Sequence, residues 1–275
     1  MKKIILTPLI VILSLVAIVF LLSLIPNDSL PQTSENPISK GDRLLGIDVT
    51  MSSNNDYSDA FSKAKTLGAE FVTLSLAWDD IEKSPEVYDN ENLAIANSFY
   101  PPQNTKLVLV LSPIDTNNIR LPDDLKDKSF DDVEVIGRFN KLIDYVLAQT
   151  PDISYISIAI GNEIDIYLGN DKTKWTAYEK FFKQTSSYLK SKKQTKIGTK
   201  ITFSGIDKDE AKSINKNSDV VMVSYYPLNS DSTVKDVSVV SSDFNKVVSL
   251  YPTKEIQFLE VGYPSGSYTK SSEKK

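Results

Sequence analysis

The chain contains no cysteine and no histidine. The first absence excludes disulfides, thiol nucleophiles and thiolate metal sites. The second excludes Ser-His-Asp triads and imidazole ligands. Positive charge is in the minority, with 31 Lys and Arg against 36 Asp and Glu. The formal charge is −5 and no basic cluster is present, so no nucleic-acid partner is expected. Chemistry is left to carboxylates, amides, hydroxyls, lysine or a carboxylate-bound metal. The Asp-x-Asp-x-Asp spacing of a calcium loop is missing, and no metal or cofactor is expected.

What is present is ordinary globular composition. The 275 residues are 41% hydrophobic and 24% charged, enough for one sizeable core. Lys2 and Lys3 precede an uncharged run from Ile4 to Ile25. A bilayer span needs about 20 apolar residues. Residues 1–25 therefore read as a transmembrane segment, with the lysines holding the N-terminus in the cytoplasm. No small-x-small cleavage site stands near Ser23, which favours an uncleaved signal anchor over a cleaved signal. Either reading puts the remainder outside the membrane, at the cell surface or secreted. Residues 26–41, with Pro26, Pro31 and Pro37, read as a polar linker.

Residues 42–275 form one expected domain. Strand-like segments are Leu44–Thr50, Phe71–Ala77, Lys106–Ser112, Ile153–Gly161, Lys196–Phe203, Val220–Tyr226 and Ile256–Val261. Helix-like segments fall between them: Tyr57–Leu67, Asn92–Phe99, Asp132–Gln149, Lys174–Lys190, Asp207–Ile214 and Ser242–Leu250. In Asp132–Gln149 the residues Val133, Ile136, Phe139, Leu142, Ile143 and Val146 share one face. Strict alternation of this kind predicts a parallel sheet with crossover helices. The fold class is α/β, a (β/α)8-type barrel. Seven strands are counted, and the polar stretch from Tyr268 cannot supply the eighth unit, so the barrel is expected to be open, incomplete or truncated.

Two strand ends carry candidate chemistry. Ile156-Ser-Ile-Ala-Ile-Gly-Asn-Glu163 is an apolar run closed by an amide and a carboxylate. Glu255-Ile-Gln-Phe-Leu-Glu260 ends in a second carboxylate. Parallel barrels place active sites at the C-terminal ends of their strands. Retaining glycoside hydrolysis needs two carboxyl groups about 5–5.5 Å apart, one acid/base and one nucleophile. Glu163 is assigned the first role and Glu260 the second. A lone strand-end glutamate is more often merely solvated, so the assignment rests on the pair.

Three segments carry a resemblance: Ile160-Gly-Asn-Glu-Ile164, Val223-Ser-Tyr-Tyr-Pro227 and Leu259-Glu-Val-Gly-Tyr-Pro264. With Gly46-Ile-Asp-Val-Thr50 they resemble glycoside hydrolase clan A, and within it the endo-β-1,4-galactanases of family 53. The resemblance spans roughly residues 44–265. It implies that Asn162 bonds a sugar hydroxyl and that Tyr226 donates to Glu260. It places Ser224 on the Tyr226 face and Asp48 at the mouth of the first strand. The second strand, Phe71–Ala77, lacks the arginine that pairs with the nucleophile in this clan. The third lacks the histidine and aromatics of galactanases.

Trp78 reads equally as core packing or as a platform for a sugar. Asp79, Asp80 and Glu82 read as a solvated loop, and the Asp123-Asp124 and Asp131-Asp132 pairs as helix starts. The expected function is a monomeric retaining glycosidase acting on a polysaccharide or oligosaccharide, with galactan or arabinogalactan as the implied substrate. The alternative is a non-catalytic carbohydrate-binding or surface protein on the same barrel.

Overall fold

In a computed structural model of the chain, residues 41–49, 55–89 and 91–263 are described. The chain divides at Arg43 into two compact units. Residues 41–43 are what is described of the first. The expected membrane segment and most of the linker lie outside the described residues. Among those that are described, no helix is long and apolar enough to cross a membrane.

The second unit is an α/β fold with parallel strands. Helix α1 (Tyr57–Thr66) opens with Asp56 as its N-cap and leads to strand β1 (Phe71–Ala77). A short helix α2 (Trp78–Ile81) and a hairpin of β2 (Glu82–Ser84) and β3 (Val87–Tyr88) follow. Helix α3 (Glu91–Phe99) precedes β4 (Lys106–Asp115), which turns back on β5 (Asn118–Ile119). Helix α4 (Val133–Gln149) leads to β6 (Tyr155–Asn162), then to α5 (Ile164–Leu168) and α6 (Lys172–Lys192). Strands β7 (Lys196–Gly198) and β8 (Lys200–Thr202) precede α7 (Asp209–Asn217) and β9 (Val220–Tyr225). Helix α8 (Val239–Leu250) and β10 (Glu255–Val261) complete the set.

Strands β1-β4-β6-β7 form one sheet and β8-β9-β10 a second, with every one of these pairings parallel. The expected single strand Lys196–Phe203 is broken at Thr199. Residues before it pair with β6 and residues after it with β9, so the chain changes partners there. The expected first strand, Leu44–Thr50, is reduced among the described residues to one parallel bridge from Gly46 to Phe71. A Cβ on Gly46 would stand 2.4 Å from the Phe71 ring, so the bridge requires glycine.

Alternation within the strands divides two cores. Leu109, Leu111, Ile158, Ile160, Ile197, Ile201, Val221 and Val223 face the helices. Val110, Ala159, Val220 and Met222 form a smaller cluster on the opposite, inner face. Helices α4 and α6 cover the outside through Phe139 and Phe181, whose rings lie 5.0 Å apart. Each such ring pair is worth about 0.5–1.5 kcal/mol beyond its area burial. The α4 stripe holds from Ile136 to Val146, but Val133 is 85% exposed. It stands in the first turn, beside the Asp132 N-cap, where the helix has not yet met the sheet.

Candidate active site

The C-terminal ends of β4, β6, β9 and β10 converge on one cluster. At the end of β6 the chain makes an abrupt turn. Gly161 has φ +89°, and Glu163 has φ +46° and ψ +45°. Gly161 is forced: an added Cβ would lie 2.4 Å from the Tyr178 hydroxyl and 2.5 Å from Ile164. Thr116, past β4, also has a positive φ, +56°. Left-handed backbone at a residue other than glycine costs about 1–3 kcal/mol and gathers at functional sites. Thr116 and Glu163 are bonded to each other, Thr116 Oγ1 donating to Glu163 Oε2 at 3.1 Å. Ser224 Oγ donates to the other carboxylate oxygen at 2.5 Å.

Asn162 sits between these two constraints. Its Nδ2 donates to Asp115 Oδ1 at 2.7 Å, which fixes the amide orientation because a carboxylate can only accept. Its Oδ1 is buried and has no hydrogen-bond partner. An orphaned acceptor of this kind costs about 1–3 kcal/mol until a donor arrives.

Glu260 reaches the cluster by way of a β-bulge. The β9–β10 register shifts between Phe258 and Glu260: Phe258 pairs with Val223, and Glu260 with Ser224. Leu259 is the extra residue and packs against the inner cluster. The bulge therefore puts Glu260 on the face of Ser224, the residue that holds Glu163. Tyr226 Oη donates to Glu260 Oε1 at 2.5 Å, and the Lys200 ammonium pairs with Glu260 Oε2. Burial alone would raise the Glu260 pKa. The hydrogen bonds from Lys200 and Tyr226, with the Lys200 charge, outweigh it and leave the group below the usual carboxylate range. The Tyr226 phenol is raised by burial, then by its bond to Glu260 and by the charges of Glu260, Glu163 and Asp48. Gly262 keeps room for Tyr226, since a Cβ there would stand 2.3 Å from its ring.

The expected site residues thus fall into four groups. Glu163, Glu260, Asn162 and Tyr226 come together at one end of the strands. Asp48 is exposed and acts on Tyr226 through its charge. Ser224 is 3% exposed, and its hydroxyl is committed to Glu163, so it positions the carboxylate instead of meeting a ligand.

Trp78 is the correction. It is 0% exposed, edge-on to Phe139, with Nε1 donating to Glu82 at 2.6 Å. Of its two readings, core packing is the one found, and it offers no face to a sugar. Glu82 is not in a solvated loop either. It is 1% exposed and pairs with Arg138, which also holds Asp124. The loop is folded inward because the β2–β3 hairpin lies against α4. Tyr225 points outward, donating to Asp243 on α8 at 2.9 Å.

Lys200, Thr116 and Asp115 were not picked out from sequence. Lys200 had a signal: a charged residue in the middle of the otherwise uncharged stretch Ile197-Gly-Thr-Lys-Ile-Thr202. Among the described residues, no group of three or more carboxylates could hold a metal ion.

No protein-family model and no curated protein matches the sequence. Solved structures do match. An exo-β-1,4-mannosidase from Opitutaceae bacterium strain TAV5 aligns with a TM-score of 0.64 at 15% identity, over 80% of this chain and 46% of its own. A family 39 glycoside hydrolase from Bacteroides cellulosilyticus WH2 gives 0.56 at 16% identity, over 81% and 49%. A GH5_18 protein from Bifidobacterium longum subsp. longum, solved in complex with Manb1-4GlcNAc, gives 0.54 at 8% identity, over 76% and 64%. The chain spans about half the length of the structures it matches first. The likeness is one of fold: a parallel α/β architecture of the kind these glycoside hydrolases have. It reaches those enzymes broadly and does not single out galactanases.

Proposed function

We propose that the protein is a retaining glycoside hydrolase with Glu163 as acid/base and Glu260 as nucleophile. One observation carries the reading. Glu163, at the end of β6, accepts from Ser224, and Ser224 is the register partner of Glu260, about a hundred residues beyond Glu163 along the chain. Adjacent strands lie about 4.8 Å apart, so this linkage suits the short carboxyl separation of a retaining site.

In the cycle, Glu163 protonates the glycosidic oxygen while Glu260 attacks the anomeric carbon. The leaving sugar departs with the proton, and a glycosyl ester forms on Glu260. Water then attacks the anomeric carbon, gives its proton to Glu163 and frees Glu260. No cofactor takes part. The orphaned Oδ1 of Asn162 accepts a sugar hydroxyl, and the contact tightens as charge develops on the ring.

For substrate we retain galactan or arabinogalactan, on the strength of the three-segment resemblance. β-Mannosides join the trial because one structural neighbour was solved with Manb1-4GlcNAc. The uncharged run after Lys3 supports an anchor for residues 1–25 and an extracellular barrel.

The test is reducing-sugar release by the full chain from galactan, arabinogalactan, xylan, mannan, β-glucans and Manb1-4GlcNAc. Glu163→Gln and Glu260→Gln, shown to fold by circular dichroism, serve as controls. Release by the wild type and not by the variants supports the reading, whereas undiminished release by Glu260→Gln refutes it. A second reading is a glycan-binding barrel without turnover. It is favoured by β1, Phe71–Ala77, which carries no arginine to pair with Glu260. Saturable binding without product release would select it.

A further inference from the structure

Lys200 is the unexpected member of the cluster. It lies on β8 opposite Met222 of β9, and Met222 belongs to the inner cluster of the sheet. The residue is 5% exposed. A lysine so placed must be paired, because an isolated ammonium in a low-dielectric interior is strongly disfavoured. Its carboxylate partner is Glu260, whose side chain is 40% exposed at the mouth. The pair is asymmetric: a buried, fixed cation holds a carboxylate that can still be reached from solvent. The second strand cannot supply such a charge, since Thr73 and Ser75 are register partners of Val108 and Val110, and Val110 faces inward.

We propose that Lys200 is a positioning residue for the reaction, the fixed counter-charge that keeps Glu260 ionised and orients one of its oxygens. This inference rests on the reading of Glu260 as nucleophile. Two oxygens have two holders, Lys200 on Oε2 and Tyr226 on Oε1. Rotation of the carboxylate is thereby restrained before any substrate arrives. Lys200 from β8 and Tyr226 from the segment after β9 are the charged or titratable groups that face Glu260. Glu163 from β6 and Asp48 from the segment before β1 act on the same Tyr226 phenol. The Tyr226 phenol donates without a charge of its own, so the cation has work that the tyrosine alone cannot do.

The decisive experiment compares Lys200→Met with Lys200→Arg in the full chain. The first readout is the 13C-carboxyl NMR titration of Glu260, assigned by its disappearance in Glu260→Gln. The second is the acid limb of the kcat/KM profile on whichever glycan is hydrolysed. An opposite charge within hydrogen-bond reach lowers a carboxylate midpoint by about 1–3 pH units. Both the NMR midpoint and the acid limb should therefore rise by about 1–3 pH units in Lys200→Met, with most of the rise reversed in Lys200→Arg. An NMR midpoint unmoved in Lys200→Met overturns the inference. A midpoint that moves while the acid limb stays leaves Lys200 as the counter-charge and refutes Glu260 as nucleophile. Should Lys200→Met fail to fold, Lys200→Gln carries the same two readouts.

Discussion

Gly161→Ala probes the turn that aims the site, and the structure supplies a matched control. Gly68, just past the end of α1, has φ +90°, and Gly161 has φ +89°. A Cβ at Gly68 would meet nothing within 4 Å, whereas at Gly161 it would meet the Tyr178 hydroxyl and Ile164 below 3 Å. Left-handed strain, about 1–2 kcal/mol, is common to both alanine variants. So is the entropy that alanine removes from the unfolded chain. The difference between the variants is therefore packing and hydrogen bonding alone.

At Gly161 the alanine must displace Tyr178, which is fully buried and donates to the carbonyl of Ile160 at 2.7 Å. Overpacking costs about 1–3 kcal/mol, and a buried hydroxyl bond lost costs a similar amount. Gly161→Ala should thus lose about 2–6 kcal/mol more than Gly68→Ala. That is a large part of the roughly 5–15 kcal/mol that holds a domain together. Urea unfolding followed by far-UV circular dichroism measures both losses. Equal losses, within about 0.5 kcal/mol, would show that Tyr178 does not confine this turn.

Three further outcomes are expected. Glu82→Ala leaves the Trp78 indole and the Glu86 amide without their acceptor and the buried Arg138 with Asp124 alone. Breaking a buried pair on one side costs about 3–5 kcal/mol in thermal or urea unfolding, and a loss below about 1 kcal/mol would contradict it. Ser224→Ala removes one of the two hydrogen bonds that hold Glu163, worth about 0.5–1.5 kcal/mol, so kcat should fall about 2–10-fold. An unchanged kcat there would mean that Ser224 does not orient the acid. Finally, the lowered pKa of Glu260 adds stability that is fully present above about pH 4.3, the ordinary glutamate value, and is lost as pH falls through the lowered folded-state value. The stability difference between wild type and Glu260→Gln should therefore shrink below about pH 4. A difference that grows with acidity would reverse the sign of the argument.

Much of the fold was legible because local patterns and tertiary demands agree. Leu107 to Leu111 are buried on both faces of the sheet, so the strand reads as a continuous apolar run. The α4 stripe has a helical period because one side meets the sheet. Disagreement arose where a residue's neighbours come from elsewhere in the chain. Trp78, followed by Asp79-Asp80, reads locally as either core or platform, and it is Phe139 and Glu82 that enclose it. Glu82 looks solvated until Arg138, distant in sequence, arrives beside it. Leu44–Thr50 has a strand's composition, but only Gly46 is bridged among the described residues.

By itself the sequence determined which chemistry was possible. Without histidine or cysteine, it was left to carboxylates, amides, hydroxyls and lysine, and the alternation of strands and helices indicated which end of each strand could hold them. The strand-end Gly161-Asn162-Glu163 needed no partner to be recognised, because its glycine and its apolar run are local facts. Tertiary structure decided the rest. It joined Glu163 to Ser224 and placed the bulge at Leu259 that turns Glu260 onto the same face. It also supplied from β8 the cation that the second strand lacks. The physical reason is range: backbone periodicity is written within a few residues, whereas charge pairing and strand register are settled between residues that lie far apart in the chain.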